Sequence, residues 1–244
     1  MAAPVICAIT GGRDRIPTLA ECQYLRFYLE QRGCEELRHG DARGTDRTVA
    51  WWISARTSIK VTPWAATDYG SWEDVGGALG PIRNGKMLDG IKPDGDERGG
   101  VTHLCAFSGG RGTADCKRQA INRGCELEKI EPLTEPRIWN LHYNKRAKRL
   151  PYAPGELIVP FRHEDGSVGC GGEWTEPQIE EFGIKLRTEL ATESRRAETI
   201  RRSIQGYTCA SWLGCWCWPN PCPLEAVVAV WRELNGKAEP LEEY

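Results

Sequence analysis

The chain has 244 residues, enough for one large domain or two ordinary ones. Its 32 basic and 34 acidic side chains leave a net charge of −2, which argues against a nucleic-acid-binding protein. No apolar run approaches the length of a membrane span, and no charged-then-apolar leader opens the sequence, so we expect a cytoplasmic protein without membrane contact.

Residues 5–10 form an apolar run ending in Gly11-Gly12-Arg13-Asp14-Arg15, the pattern of a buried strand and its turn. Thr18 and Glu21 have the spacing of a capping box. Leu19, Cys22, Leu25, Phe27 and Leu29 continue from it as a helical stripe closed by Gly33. Residues 35–39 make a second strand, weak by propensity, that leads into Gly40-Asp41-Ala42-Arg43-Gly44-Thr45-Asp46. A helix from Thr45 to Ala55 follows, with Val49, Trp52 and Ile53 as its inner face. Residues 58–63 are a third strand, and 64–80 a loop rich in glycine and aromatics. The next helix starts at Pro81, a residue suited to a first turn. The polar segment 92–100 reads as a surface loop. Residues 101–107 and 125–130 supply the last two strands, with a helix opening at Thr113 between them.

This alternation predicts an α/β fold, a Rossmann-like parallel sheet with helices on both faces. The glycine turns after the first, second and fourth strands then share one rim, the carboxyl edge at which such sheets bind ligands. Ser108-Gly109-Gly110-Arg111-Gly112-Thr113 stands out among them. A glycine turn running into a helix N-terminus lets backbone N–H groups and the helix dipole approach an anion. Taken alone, it is also the signature of a tight connection with no ligand.

Four segments carry a resemblance together: Gly11-Gly12-Arg13-Asp14; His39-Gly40-Asp41-Ala42-Arg43-Gly44-Thr45-Asp46; Trp64 followed by Gly80-Pro81-Ile82-Arg83-Asn84-Gly85-Lys86-Met87; and Phe107-Ser108-Gly109-Gly110-Arg111-Gly112-Thr113-Ala114-Asp115. In this order they resemble the YspA-like branch of the SLOG superfamily, which also holds the DprA DNA-processing proteins and the LOG phosphoribohydrolases. The resemblance covers residues 1–131 and implies a nucleotide or nucleoside-derived ligand. It implies that Ser108, Gly109, Gly110, Arg111, Gly112 and Thr113 cradle phosphate, and that Arg83 and Asn84 reach the ligand from the third crossover. Gly11, Gly12 and Arg13 would line the near side, with Gly44, Thr45 and Asp46 in the neighbouring turn. LOG enzymes carry a glutamate three residues past the Gly-Thr pair, where this chain has Cys116. Cleavage of an N-glycosidic bond needs a carboxylate, and Asp115 or Asp46 is available for it. Asp115 also reads as a first-turn acid that favours the helix dipole. The resemblance thus implies a hydrolase or ribosyl-transferring enzyme, often completed across a homodimer. The alternative is a non-catalytic sensor or sequestering protein for an NAD- or ADP-ribose-type signal in phage–host conflict.

Residues 132–136 form a Pro/Glu-rich hinge before a second domain, 137–236, which we expect to be a smaller α+β unit. The basic run in 139–149 reads as a solvated surface or a phosphate contact. Residues 176–205 predict one or two amphipathic helices with Ile179, Phe182, Ile184, Leu186, Leu190, Ile200 and Ile204 as core candidates. The alternating Arg195, Arg196, Arg201 and Arg202 with Glu193 and Glu198 predict a salt-bridged exposed face. The turn around Gly214-Cys215-Trp216-Cys217 and Pro221-Cys222, before a helix at 224–234, resembles an uncharacterised phage and bacterial domain. Of the eleven cysteines, six lie within residues 1–131 and read as small buried hydrophobes. Cys209, Cys215, Cys217 and Cys222 cluster, and two readings stay open for them. Cys215, Cys217 and Cys222, with Cys209, His142 or His163 as fourth ligand, could hold a structural zinc, although C-x-C-x4-C is not a usual finger spacing. Otherwise they form a buried thiol-rich turn at a helix N-terminus.

Overall fold

The structure is a computed structural model that describes residues 4–132, 135, 137–140, 174–207, 212–215 and 222–237. The chain divides into two compact units, Met1–Pro17 with Glu21–Pro132 and Thr18–Ala20 with Leu133–Tyr244.

The first unit runs β1 (Val5–Thr10), α1 (Leu19–Gln31), β2 (Cys34–His39), α2 (Thr45–Ser54), β3 (Lys60–Pro63), α3 (Trp72–Val75), α4 (Leu79–Asp89), β4 (His103–Ala106), α5 (Arg111–Asn122) and β5 (Glu126–Lys129). All five strands are parallel, in the order β3-β2-β1-β4-β5. This is the Rossmann-like α/β sheet that the alternation predicts. The winding reverses between β1 and β4, which pair directly from Cys7–His103 to Thr10–Ala106. Ile6 and Ala8 of β1 join Leu104, Met87 and Leu88 of α4, and Cys116 and Ala120 of α5, in one buried cluster. Cys7 and Ile9 alternate to the opposite side of the strand and are equally buried. Leu25 and Leu29 of α1 and Val49 and Ile53 of α2 are fully buried. Each such side chain contributes roughly 1.5–3 kcal/mol on burial, so apolar stripes rather than intrinsic propensity decide these helices.

Polar β2 is held differently. Arg38 is completely buried and donates to the carbonyls of Arg98 (2.7 Å), Gly99 (2.8 Å) and Met87 (3.2 Å) and to Glu36 Oε2 (3.0 Å). A buried guanidinium is tolerable only with such a set of acceptors. The six cysteines of this unit, Cys7, Cys22, Cys34, Cys105, Cys116 and Cys125, are all buried. Phe27, expected in the stripe of α1, is 42% exposed instead. It lies two residues from both Leu25 and Leu29, a step of about 200° around a helix, and so faces outward.

In the second unit β6 (Arg137–Asn140) pairs in parallel with β7 (Trp212–Cys215). Three helices accompany them: α6 (Glu176–Leu190), α7 (Arg195–Gln205) and α8 (Leu224–Leu234). Thr175 and Gln178 make a capping box at the start of α6, and Ser194 caps α7 by accepting from Ala197 N at 3.0 Å. The expected amphipathic stretch is therefore two helices. Leu186, Leu190, Ile200 and Ile204 are buried, whereas Ile184 is 56% exposed because it falls off the 182–186–190 stripe. Arg201 and Arg202 pair with Glu198 on the outer face of α7. In α8, Trp231 Nε1 donates to Tyr207 O at 2.8 Å, and buried Arg232 pairs with Glu135 at 2.7 Å. Among the described residues no helix is long and apolar enough to cross a membrane.

Cys209, Cys217, His142 and His163 lie outside the described residues. Cys215 ends β7, and Cys222 is buried two residues before α8. Among the described residues no group of three or more His, Cys, Asp or Glu side chains could hold a metal.

Candidate functional site at the carboxyl rim

The turns after β1 and β4 meet where the strand order reverses. Gly12 N donates to Ser108 O at 3.1 Å, and Phe107 N to Thr10 O at 2.9 Å, so the two turns form one wall. Thr45, at the start of α2, clamps the same wall. Its backbone N and its Oγ1 both approach Gly12 O at 3.2 Å, and Oγ1 is also 3.3 Å from Arg15 O. Thr45 is fully buried, so its hydroxyl fixes the β1 turn and does not open to the rim. Gly44 has φ +81°, and a β-carbon there would strike the Arg13 carbonyl, so only glycine lets α2 start this close to β1. Gly11 meets the Thr45 side chain in the same way.

The phosphate-loop candidates sit on the outside of this wall. Ser108, Gly109, Gly110, Arg111 and Gly112 are exposed, and Thr113 is buried against Gly109. No side chain caps α5. Its first helical hydrogen bond is Ala114 N to Gly110 O at 3.0 Å, so the N–H groups of Arg111, Gly112 and Thr113 precede it. An uncapped N-terminus on an exposed glycine loop at the reversal point has the electrostatics and the access that an anion needs.

The two carboxylates differ sharply. Asp115 Oδ1 takes Arg118 Nη2 at 2.6 Å, and Oδ2 takes Gln119 Nε2 at 2.8 Å and Asn84 Nδ2 at 3.1 Å. Partial burial pushes the Asp115 carboxyl up, but these donors outweigh it and hold the group below the usual carboxylate range. Asn84 also lies 3.4 Å from Gly112 O, so it is a strut between α4 and α5. Asp46 is 5% exposed. Burial pushes its carboxyl up to about 6, against the pull of Arg83 and of the Gly40 and Ala42 backbone N–H groups. Arg83 is itself buried. Its Nη1 donates to Trp64 O at 3.1 Å, and its Nε has no partner among the described residues. The guanidinium lies over Gly40, in the space that a β-carbon would fill. Cys116, at the LOG glutamate position, is buried in the core, and burial pushes its thiol up to about 12. It stands within the electrostatic reach of both Arg83 and Asp46.

The fold therefore separates the expected residues into two groups. Arg83 and Asp46 gather behind Gly40, while Asn84 and Asp115 tie the start of α5 to α4. Three residues without an assigned role join the rim. His39 is buried beside the pair, and burial lowers its pKa to about 4, so it is neutral at pH 7. Asp41 has φ +52°, the one non-glycine residue with positive φ among the described residues, and pairs with Arg47 at 3.0 Å. Trp72, 45% exposed, has the Arg13 guanidinium over its ring at 5.9 Å. The sequence flagged the segment of His39 and Gly40 as a unit, but a glycine under an arginine becomes visible only when Arg83 of α4 reaches the turn after β2.

Comparison with protein-family models, with curated proteins and with solved structures gave no match.

Proposed function

We propose that the first unit binds a nucleotide or nucleoside-derived small molecule at the β1/β4 reversal, as the resemblance to the YspA-like SLOG branch implies. The observation that carries this is the exposed, uncapped start of α5 on the wall made by Gly12 and Ser108. Phosphate meets the N–H groups of residues 111–113, with Arg13, exposed and without a carboxylate partner among the described residues, as a cation on the adjoining turn.

The chemistry we propose is cleavage or transfer at the N-glycosidic bond, with Asp46 as its carboxylate. A buried carboxyl titrating near 6 within the electrostatic reach of a buried arginine suits general acid–base work or stabilisation of an oxocarbenium-like state. Asp115 is the poorer candidate because its oxygens are already occupied. That saturation favours a second reading, a sensor or sequestering protein that holds the ligand unchanged. By resemblance the site is completed in a homodimer, which sedimentation of the purified chain would report.

Incubation with nucleoside monophosphates and NAD-derived nucleotides, followed by mass spectrometry, separates the two. Free base released by the wild type and lost in Asp46→Asn supports catalysis. Tight binding with every ligand returned intact removes the enzyme and leaves the sensor.

A further inference from the structure

Among the described residues of this rim, Trp72 is a large aromatic side chain left 45% exposed. Its neighbours are fixed. Trp64 is fully buried and stacks on Tyr69, with centroids 6.4 Å apart and planes 7° apart, and Tyr69 Oη donates to Ile91 O at 3.1 Å. Lys92 Nζ sits 4.1 Å from the Trp64 centroid and donates to Pro63 O at 3.2 Å. Ser71 then caps α3, accepting from Asp74 N at 3.1 Å, and presents Trp72 as the first residue of that turn. A loop anchored at both Trp64 and Tyr69 thus holds out an aromatic ring that shields little of the core.

Arg13 supplies the second observation. It is exposed, it has no carboxylate partner among the described residues, and its guanidinium rests over Trp72. Its charge also reaches Arg83, whose charged form is disfavoured first by burial and in small part by Arg13. Arg13, over an aromatic face and with no carboxylate partner among the described residues, therefore keeps a positive charge open to an anion.

We infer that Trp72 is the stacking platform for the base of the bound nucleotide, and that Arg13 is parked on it until a phosphate draws it away. This rests on the nucleotide reading above and sharpens it. The site then selects a sugar phosphate carrying an aromatic base over the same sugar phosphate without one. A cation–π contact at an exposed ring is weaker than a charge-assisted bond between guanidinium and phosphate. Ligand entry therefore exchanges the weaker contact of Arg13 for the stronger one and frees the ring for the base. After glycosidic cleavage the phosphate half has no hold on Trp72, so the two products leave independently.

Calorimetric titration of the full chain with adenosine 5′-monophosphate and with ribose 5-phosphate tests this. The expected result is that Trp72→Ala weakens the nucleotide on the order of tenfold or more, while ribose 5-phosphate binds as to wild type and so reports an intact site. Trp72→Phe should restore most of the nucleotide affinity, and Arg13→Ala should weaken both ligands. Nucleotide binding should also quench tryptophan emission in the wild type and less so in Trp72→Phe. If Trp72→Ala weakens both ligands alike or neither, or if wild type binds the two ligands equally, the platform is wrong and the nucleotide reading stands. If wild type binds neither, both fall.

Discussion

Asp46 and Asp115 are the same residue type, each in the first half of a helix at the same sheet edge, and the fold treats them oppositely. Asp115 is surrounded by donors from its own helix and from α4, and is held ionised. Asp46 is buried beside one guanidinium that is itself short of partners, and holds its proton up to about pH 6. A carboxylate with saturated oxygens braces structure, whereas one left under-solvated retains reactivity.

The largest expected effect tests that contrast directly. If base release is observed, Asp46→Asn should lower it by roughly 10²–10⁴-fold, the range of a lost general acid or base, while Asp115→Asn lowers it by less than about tenfold. Equal losses in the two variants would erase the distinction. Next comes Gly40→Ala. Its β-carbon would displace the Arg83 guanidinium from the Trp64 carbonyl, so we expect about 1–3 kcal/mol of lost stability and at least tenfold weaker ligand binding.

The third prediction concerns pH. Burial raises the Asp46 pKa from 3.8 to about 6, so its protonated form is favoured by folding, and stability falls as pH rises from about 4 to 6. Burial lowers the His39 pKa from 6.5 to about 4, so folding favours the neutral ring, and stability is lost as pH falls from about 6.5 to 4. Each slope is worth on the order of 3 kcal/mol and the two oppose each other over one interval. Denaturant titrations between pH 4 and 7 should show Asp46→Asn gaining stability with rising pH relative to wild type, and His39→Gln losing it. Parallel curves for all three proteins would mean that neither group is perturbed. The smallest effect is structural. Asp115→Asn removes the charge that Arg118 pairs with on an exposed flank, and should cost only about 1 kcal/mol by thermal denaturation.

Much of the scaffold was legible in the chain itself. The apolar run of β1, the stripe of Val49, Trp52 and Ile53, and the glycine turns all announce a parallel sheet with its glycine turns on one edge, because burial on two faces leaves a local pattern. The charges of β2 hid its place beside β1. Arg38 is paid for by carbonyls of residues 87, 98 and 99, which are far away in sequence. The choice between Asp46 and Asp115 was hidden for the same reason, since the donors that decide it come partly from α4. Trp72 was concealed in a segment legible only as an aromatic, glycine-rich loop. Its meaning depends on Arg13, which arrives from another turn.

Gly40 leaves no room for a side chain while Arg83 holds its place. The volume of one absent methyl group is where the Arg83 guanidinium lies, so the positive charge that acts on Asp46 is seated by an atom the chain does not have. Any other residue at position 40 would fill that seat. A library randomised there should retain glycine almost alone, even though the position carries no functional group of its own.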